Sequence, residues 1–214
     1  GHDFNNNLHA NWYVCYPYDF LPPTPLGPNC MSSPYGDTFD IMGGPDFDYP
    51  HFNAYHKLQA NWMTPDNFIN LSAPGTYTYT LAPLEIPSST PQALNILRGK
   101  TGTSFLVEYR QPIGFDAWMA SPAKCPGCTI LNGPSIKFVF ETEGGDTQAI
   151  DTTPYSKFST KYYPEEDYWN GAALEPGKTF NDPETGIAIR AISADSNGAT
   201  VEVTIPPTGN CIHN

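Results

Sequence analysis

From Thr64 onward the chain is written in a period of two. Thr76-Tyr77-Thr78-Tyr79-Thr80-Leu81 is rich in β-branched and aromatic residues and reads as a strand. Ala93 to Arg98 (ALNILR) and Ser104 to Arg110 (SFLVEYR) flank the Gly99-Lys100-Thr101-Gly102 turn and predict a hairpin. Ser135 to Glu141 (SIKFVFE) alternates cleanly and is turned by Gly144-Gly145-Asp146. Thr185 to Ile192 and Ala199 to Ile205 (ATVEVTI) predict a last hairpin through Asp195-Ser196-Asn197-Gly198, where Asn-Gly supplies the positive φ of the turn. These strands describe a small antiparallel β-sandwich over residues 65–214.

Before Thr64 the pattern is different. Phe52, Tyr55, Leu58 and Trp62 recur at three, three and four, one face of a short helix. Gly1 to Ala10 (GHDFNNNLHA) reads as a helix that stops among Asn5 to Asn7, because Asn tolerates the left-handed conformation that ends helices. Residues 11–34 are rich in proline and read as an ordered loop. The fold class is therefore α+β, mostly β, with a boundary near Thr64-Pro65 between residues 1–64 and 65–214.

With 23 Pro and 18 Gly among 214 residues, turns must be many and helices few, which agrees with this picture. The formal charge of -12, from 22 acidic against 10 basic residues, makes nucleic acid and anionic membrane poor partners. No apolar run approaches the roughly 20 residues that span a bilayer. The first residue, Gly1, is not Met, which suggests a processed or truncated start.

Five cysteines refine the compartment. Cys15 and Cys30 bracket the proline-rich loop, and a bridge there would stabilise by about 3 kcal/mol on the loop-entropy account. Cys125-Pro126-Gly127-Cys128 resembles a redox dithiol but lacks the βαβ setting of one, so a local disulfide is the expectation. The sequence leaves the pairing of Cys211 open. Asn70-Leu71-Ser72 is a glycosylation sequon, usable only on a eukaryotic secretory route. Together these features point to an extracellular protein.

The segment Tyr35–Met63 (YGDTFDIMGGPDFDYPHFNAYHKLQANWM) holds a Met-Gly-Gly turn at Ile41 to Gly44, a Pro/Asp-rich loop and the short helix. Its order, Asp-x-Met-Gly followed by Phe-Asn-Ala-Tyr-His-Lys and a Trp, resembles the region after the zinc helix in gametolysin-type metallopeptidases. Phe105-Leu106-Val107-Glu108-Tyr109-Arg110-Gln111 with Gly114-Phe115-Asp116 is similar to the segment that follows the catalytic domain in these secreted enzymes. Leu174-Glu175-Pro176-Gly177, leading to Asp182-Pro183 and Gly186-Ile187, resembles their C-terminal strands. The resemblance implies the end of a metzincin-like catalytic domain in residues 1–64 and a β-sandwich in 65–214.

It also implies a site. The zinc helix of this superfamily resembles HExxHxxGxxH, in which two His bind Zn2+ and Glu polarises the attacking water. On that resemblance His2 is the second zinc ligand, His9 the third, and Met42 forms the turn beneath the metal. His2 to His9 spans seven positions where the family has six, and the Asn run stands in place of the family's glycine, so the extra residue bulges within Asn5–Asn7. The first His and the catalytic Glu are expected upstream of Gly1, which would leave the chain alone inactive. The same histidines read without the resemblance are a frayed terminal residue and an ordinary loop residue, and Met42 is core filler.

Other candidates have two readings each. Asp37, Asp40, Asp46 and Asp48 offer hard oxygen ligands to Ca2+, or are solvated loop polarity, and Asp182 and Glu184 divide the same way. His51 and His56, five apart, read as surface or packing residues, and Tyr49 as a residue near a bound substrate. The implied function is secreted zinc endopeptidase acting on polypeptide. The rivals are a pseudo-peptidase and a secreted β-sandwich that binds a protein surface or glycan, with Trp118, Tyr162, Tyr163, Tyr168 and Trp169 as stacking aromatics.

Overall fold

A computed structural model describes residues 10–15, 26, 30–44, 49–99, 101–140, 146–152 and 172–207. The predicted helix end at Asn5 to Asn7 lies outside them, as do His2, His9, Asp46, Asp48, Cys211, Tyr162, Tyr163, Tyr168 and Trp169.

The described chain is mostly β. In order it forms β1 (Ala10–Cys15), β2 (Cys30–Ser33), α1 (Ala54–Gln59), β3 (Phe68–Leu71), β4 (Gly75–Leu81), β5 (Ala93–Leu97) and β6 (Thr103–Glu108). A 3-10 helix over Gly114–Ala120 and a shorter one over Ile130–Asn132 follow. The chain continues as β7 (Ser135–Phe140), β8 (Asp146–Ile150), β9 (Thr179–Asn181), β10 (Ala188–Asp195) and β11 (Gly198–Ile205). A seven-stranded sheet has the order β2-β1-β8-β7-β6-β5-β3, and a four-stranded sheet the order β4-β11-β10-β9.

The predicted hairpins β5–β6 and β10–β11 are present and antiparallel. Two pairings depart from an all-antiparallel arrangement: β3 runs parallel to β5, and β1 parallel to β8. The segment expected to be loop, 11–34, contributes β1 and β2 to the larger sheet, so strands from both sides of Thr64 hydrogen-bond into one sheet. The β1–β2 register places Cys15 directly opposite Cys30, a pairing whose Cα separation of about 4.5–5.5 Å suits a bridge. Cys125 and Cys128 form a disulfide, with Gly127 at φ +70° closing the turn. Asn70 of the sequon is exposed on β3, the last strand of the sheet.

The two faces of the larger sheet differ in chemistry. Leu94, Ile96, Phe105, Val107, Ile136 and Phe138 point toward the smaller sheet and share one apolar cluster with Leu81, Ile189, Val201 and Val203. On the opposite face β6 turns Leu106 and Glu108 outward, and β7 turns Lys137 and Val139. That outer face is not solvated. The loop 35–44, α1 and the Gly114–Ala120 helix cover it, and Glu108 and Lys137 are buried beneath them.

Candidate functional site

A covered face carrying charges needs partners for them, since an unpaired ion out of water is costly. The loop 35–44 supplies two. Asp37 is fully buried, with its Oδ1 accepting from the Phe39 N–H at 3.0 Å and its Oδ2 bound by the Lys137 ammonium. Asp40 is also fully buried. Its Oδ1 accepts from the Met42 N–H at 2.7 Å, and its Oδ2 from the Asn53 N–H at 2.7 Å and His56 Nδ1 at 3.1 Å. Asp40 thus ties the Met42 turn to the start of α1. Neither aspartate is solvated loop polarity, because both are spent on internal partners.

The helix is set down by its first turn. Asn53 caps it, accepting from the His56 N–H at 2.9 Å, and its Nδ2 donates to Thr147 Oγ1 at 2.9 Å. Glu108 Oε2 accepts the Ala54 N–H at 2.7 Å. The buried residues of α1 are Ala54, His56 and Lys57, whereas Trp62 of the predicted apolar face is 65% exposed. The face chosen by periodicity is not the most buried one. Tyr55 and Leu58 pack at the edge of the cluster holding Met63, Phe68 and Leu84, while the polar face lies on the sheet.

Arg110, fully buried, anchors the other end. Its Nε donates to Glu85 Oε1 and Asp116 Oδ2, both at 2.9 Å, and an Nη also binds Asp116. Asp116 Oδ1 accepts the His51 N–H at 2.8 Å, which fixes the chain entering α1. Burial alone would raise the Asp40 and Asp116 pKa values, but His56 and Lys137 for the first and Arg110 for the second hold them below the carboxylate range. Lys137 is lowered by burial and raised more by Asp37 and Glu108, so it stays protonated. Glu85 goes the other way: burial pushes it up to about 8, Arg110 opposes this, and Asp116 beside it adds to the rise.

These shifts have a sign. Glu85 rises from 4.5 to about 8 on folding, so its contribution is fully present below pH 4.5 and lost as pH climbs through 8. Asp40 and Asp116, lowered from 3.8, contribute above that value and lose it on acidification. The urea midpoint is therefore expected to be highest near pH 5 and lower at pH 8, by on the order of a few kcal/mol in stability. Glu85→Gln should flatten the fall. A wild-type profile that is flat or rises from pH 5 to pH 8 would contradict the assignment of the proton to Glu85.

Met42 lies beside the residue that follows His9. Ala10 donates its N–H to the Met42 carbonyl at 3.2 Å, and the Asp37 N–H reaches the Ala10 carbonyl at 3.3 Å. The loop itself is a pair of tight turns, Asp40 N–H to Asp37 O and Gly43 N–H to Asp40 O at 2.9 Å. Ile41, next to Met42, opens onto a groove of about 620 Å³. Tyr49, Trp62, Ile86 and Phe115 line it, four of the seven exposed large hydrophobic side chains among the described residues. One wall, residues 82–92, is held by amides: Asn67 Nδ2 donates to the Ser88 and Thr90 carbonyls, and Gln92 Nε2 to those of Pro83 and Ile86.

Some expected residues take other places. Trp118 is 6% exposed and stacked on Phe39, so it presents no platform for a sugar. Asp182 grips Arg98 through both oxygens, at 2.8 and 3.0 Å, and the exposed Glu184 joins the same guanidinium. His51 places its ring edge-on to Phe115, and His56 is buried on Asp40. Glu85, Glu108, Arg110 and Lys137 escaped notice as site residues. Their signal was weak: in a chain with few basic residues, Lys137 stands at an outward position of β7 and Arg110 two residues past the end of the adjoining β6. Among the described residues no three His, Cys, Asp or Glu side chains converge as a metal site, and no helix is long and apolar enough to cross a membrane. No family model, curated protein or solved structure matches the chain.

Proposed function

We propose that these residues belong to a secreted zinc endopeptidase resembling the gametolysin type, with the end of its catalytic domain and the strands after Thr64 built into one sheet. The observation that carries the reading is the hydrogen bond from Ala10 to the Met42 carbonyl. It brings the chain leaving His9 to the Met turn, as a third ligand above that turn requires. The fit to zinc rests on this juxtaposition and on the donor chemistry of His2 and His9, two imidazoles of the kind zinc takes.

In this reading His2 and His9 hold the metal, with a further His and a glutamate base supplied by residues other than these 214. Zinc, when bound, would supply Lewis-acid polarisation of water and of the scissile carbonyl. Asp40 positions the turn by fixing the Met42 N–H, and the buried charges hold that turn against the sheet. The groove beginning at Ile41 receives apolar substrate side chains and keeps water from them. A module that binds polypeptide without cutting it would use the same groove, and the upstream residues separate the two readings.

The test is the sequence encoded ahead of Gly1, followed by zinc analysis of the extended protein. His-Glu-x directly before Gly1, about one zinc per chain and loss of that zinc in His9→Ala are the expected results. The 214-residue chain should not hydrolyse peptides. A signal cleavage site ahead of Gly1, a His without its Glu, or zinc-dependent hydrolysis by the 214-residue chain would overturn the proposal.

A further inference from the structure

Among the described residues the buried Lys and Arg side chains are paired with carboxylates, with one exception. Arg98 lies on Asp182, Arg110 on Asp116 and Glu85, and Lys137 on Asp37, all at hydrogen-bond distance. Lys57 is as buried, at 8% exposure, yet among the described residues no carboxylate comes within ion-pair distance of it. Its ammonium makes one hydrogen bond, 2.6 Å to the Leu84 carbonyl, although an ammonium carries three donors. Lys57 lines the apolar groove. A cation with donors to spare, in the wall of a preformed cleft rimmed by Tyr49, Trp62 and Phe115, is a recognition element for an anion flanked by apolar groups.

We propose that the groove binds an extended polypeptide segment bearing an acidic side chain, whose carboxylate meets the Lys57 ammonium while its apolar neighbours lie on Trp62, Ile86 and Phe115. The choice of polypeptide rests on the peptidase reading, and Lys57 becomes the residue that sets substrate preference. The charged groups around it are Glu85 of the 82–92 wall, Glu108 and Arg110 of β6 and its continuation, Asp116 of the 3-10 helix, and His51 ahead of α1. Glu85 keeps its proton near neutrality, which removes the competitor in the groove wall. Lys57 is pushed down to about 8, by burial first and then by Arg110, so its charge is present at pH 7 and disappears above pH 8.

The test uses the 214-residue chain and capped pentapeptides, apolar except for one central residue that is Glu in one peptide and Gln in its twin. Calorimetry at pH 7 should give about tenfold tighter binding of the Glu peptide. Lys57→Met should erase the difference and Lys57→Arg should keep it. The wild-type difference should also fade between pH 7 and pH 9, an observation that needs no variant to fold. Equal affinity for the two peptides, no binding of either, or a difference that survives Lys57→Met would overturn the proposal. Acidic preference in a protein whose upstream sequence lacks His-Glu would sink the peptidase reading and leave the groove assignment standing.

Discussion

Arg110→Met should cost about 3–5 kcal/mol, the largest loss expected from any single change on the outer face of the sheet. The guanidinium has no exposed surface, and its hydrogen bonds run to Glu85 and Asp116 with the His51 carbonyl at 3.3 Å. Methionine fills much of the volume but leaves Asp116 buried without its counter-charge. Against a total stability of about 5–15 kcal/mol, such a variant gives up a large share of its margin. Urea unfolding followed by circular dichroism measures this directly. The triple variant Arg110→Met, Glu85→Gln, Asp116→Asn separates charge from packing, because a buried ionic group replaced as a set is often nearly neutral. It should recover most of the loss. A single variant within about 1 kcal/mol of wild type would mean that water reaches this cluster.

Gly43→Ala should cost about 3 kcal/mol through a different cause. A Cβ at this position would lie 1.9 Å from the Asp37 carbonyl oxygen, and neither the Cβ, fixed to its Cα, nor the backbone carbonyl can swing aside. The collision opens the pair of turns that carries Met42, and through Asp40 it disturbs the start of α1. Gly99→Ala is the comparison: its φ of +65° strains a side chain, but nothing lies within 4 Å, so about 1–2 kcal/mol is expected. Limited proteolysis should find new cleavage within 35–44 in Gly43→Ala and not in Gly99→Ala. Equal losses in the two variants would show that the close approach at Gly43 is not what the turn depends on.

The strands that sequence reading located are those whose sequences are rich in β-branched and aromatic residues or alternate apolar with polar side chains. Strand β4, with the hairpins β5–β6 and β10–β11 and the strand β7, fell close to their expected positions. Strands β1, β2, β3, β8 and β9 did not stand out. Residues 30–33 (CMSS) and 146–150 (DTQAI) are short and polar, and β1 lies at the head of a proline-rich stretch. Parallel partnership is invisible to a period of two, which says which side a residue faces and nothing about its neighbour.

At the site, the order of Met42, the capped helix and Trp62 was legible, and the burial around them was not. Glu108 and Lys137 alternate with apolar residues just as solvent-facing residues do. A face that is charged because it is wet and a face that is charged because it meets opposite charge have the same spelling. The same ambiguity misdirected the reading of α1. Spacing predicts Phe52 and Trp62 as the inward residues, yet His56 and Lys57 go inward because Asp40 and the Leu84 carbonyl receive them. Exposed aromatics around the resulting cleft then follow from the helix being docked by its polar side.

The parallel contact of β1 with β8 sets an order of assembly. Ala10 aligns with Thr147, so the ribbon of β1 and β2 waits for β8, made much later in synthesis, before it joins the rest of the larger sheet. Until then β8 is an open edge, the Asp37–Lys137 pair is unmade, and the Met42 turn has no floor. Refolding should accordingly complete the sheet interior first and close this region last, with the interval before closure the time of greatest exposure to intermolecular strand pairing.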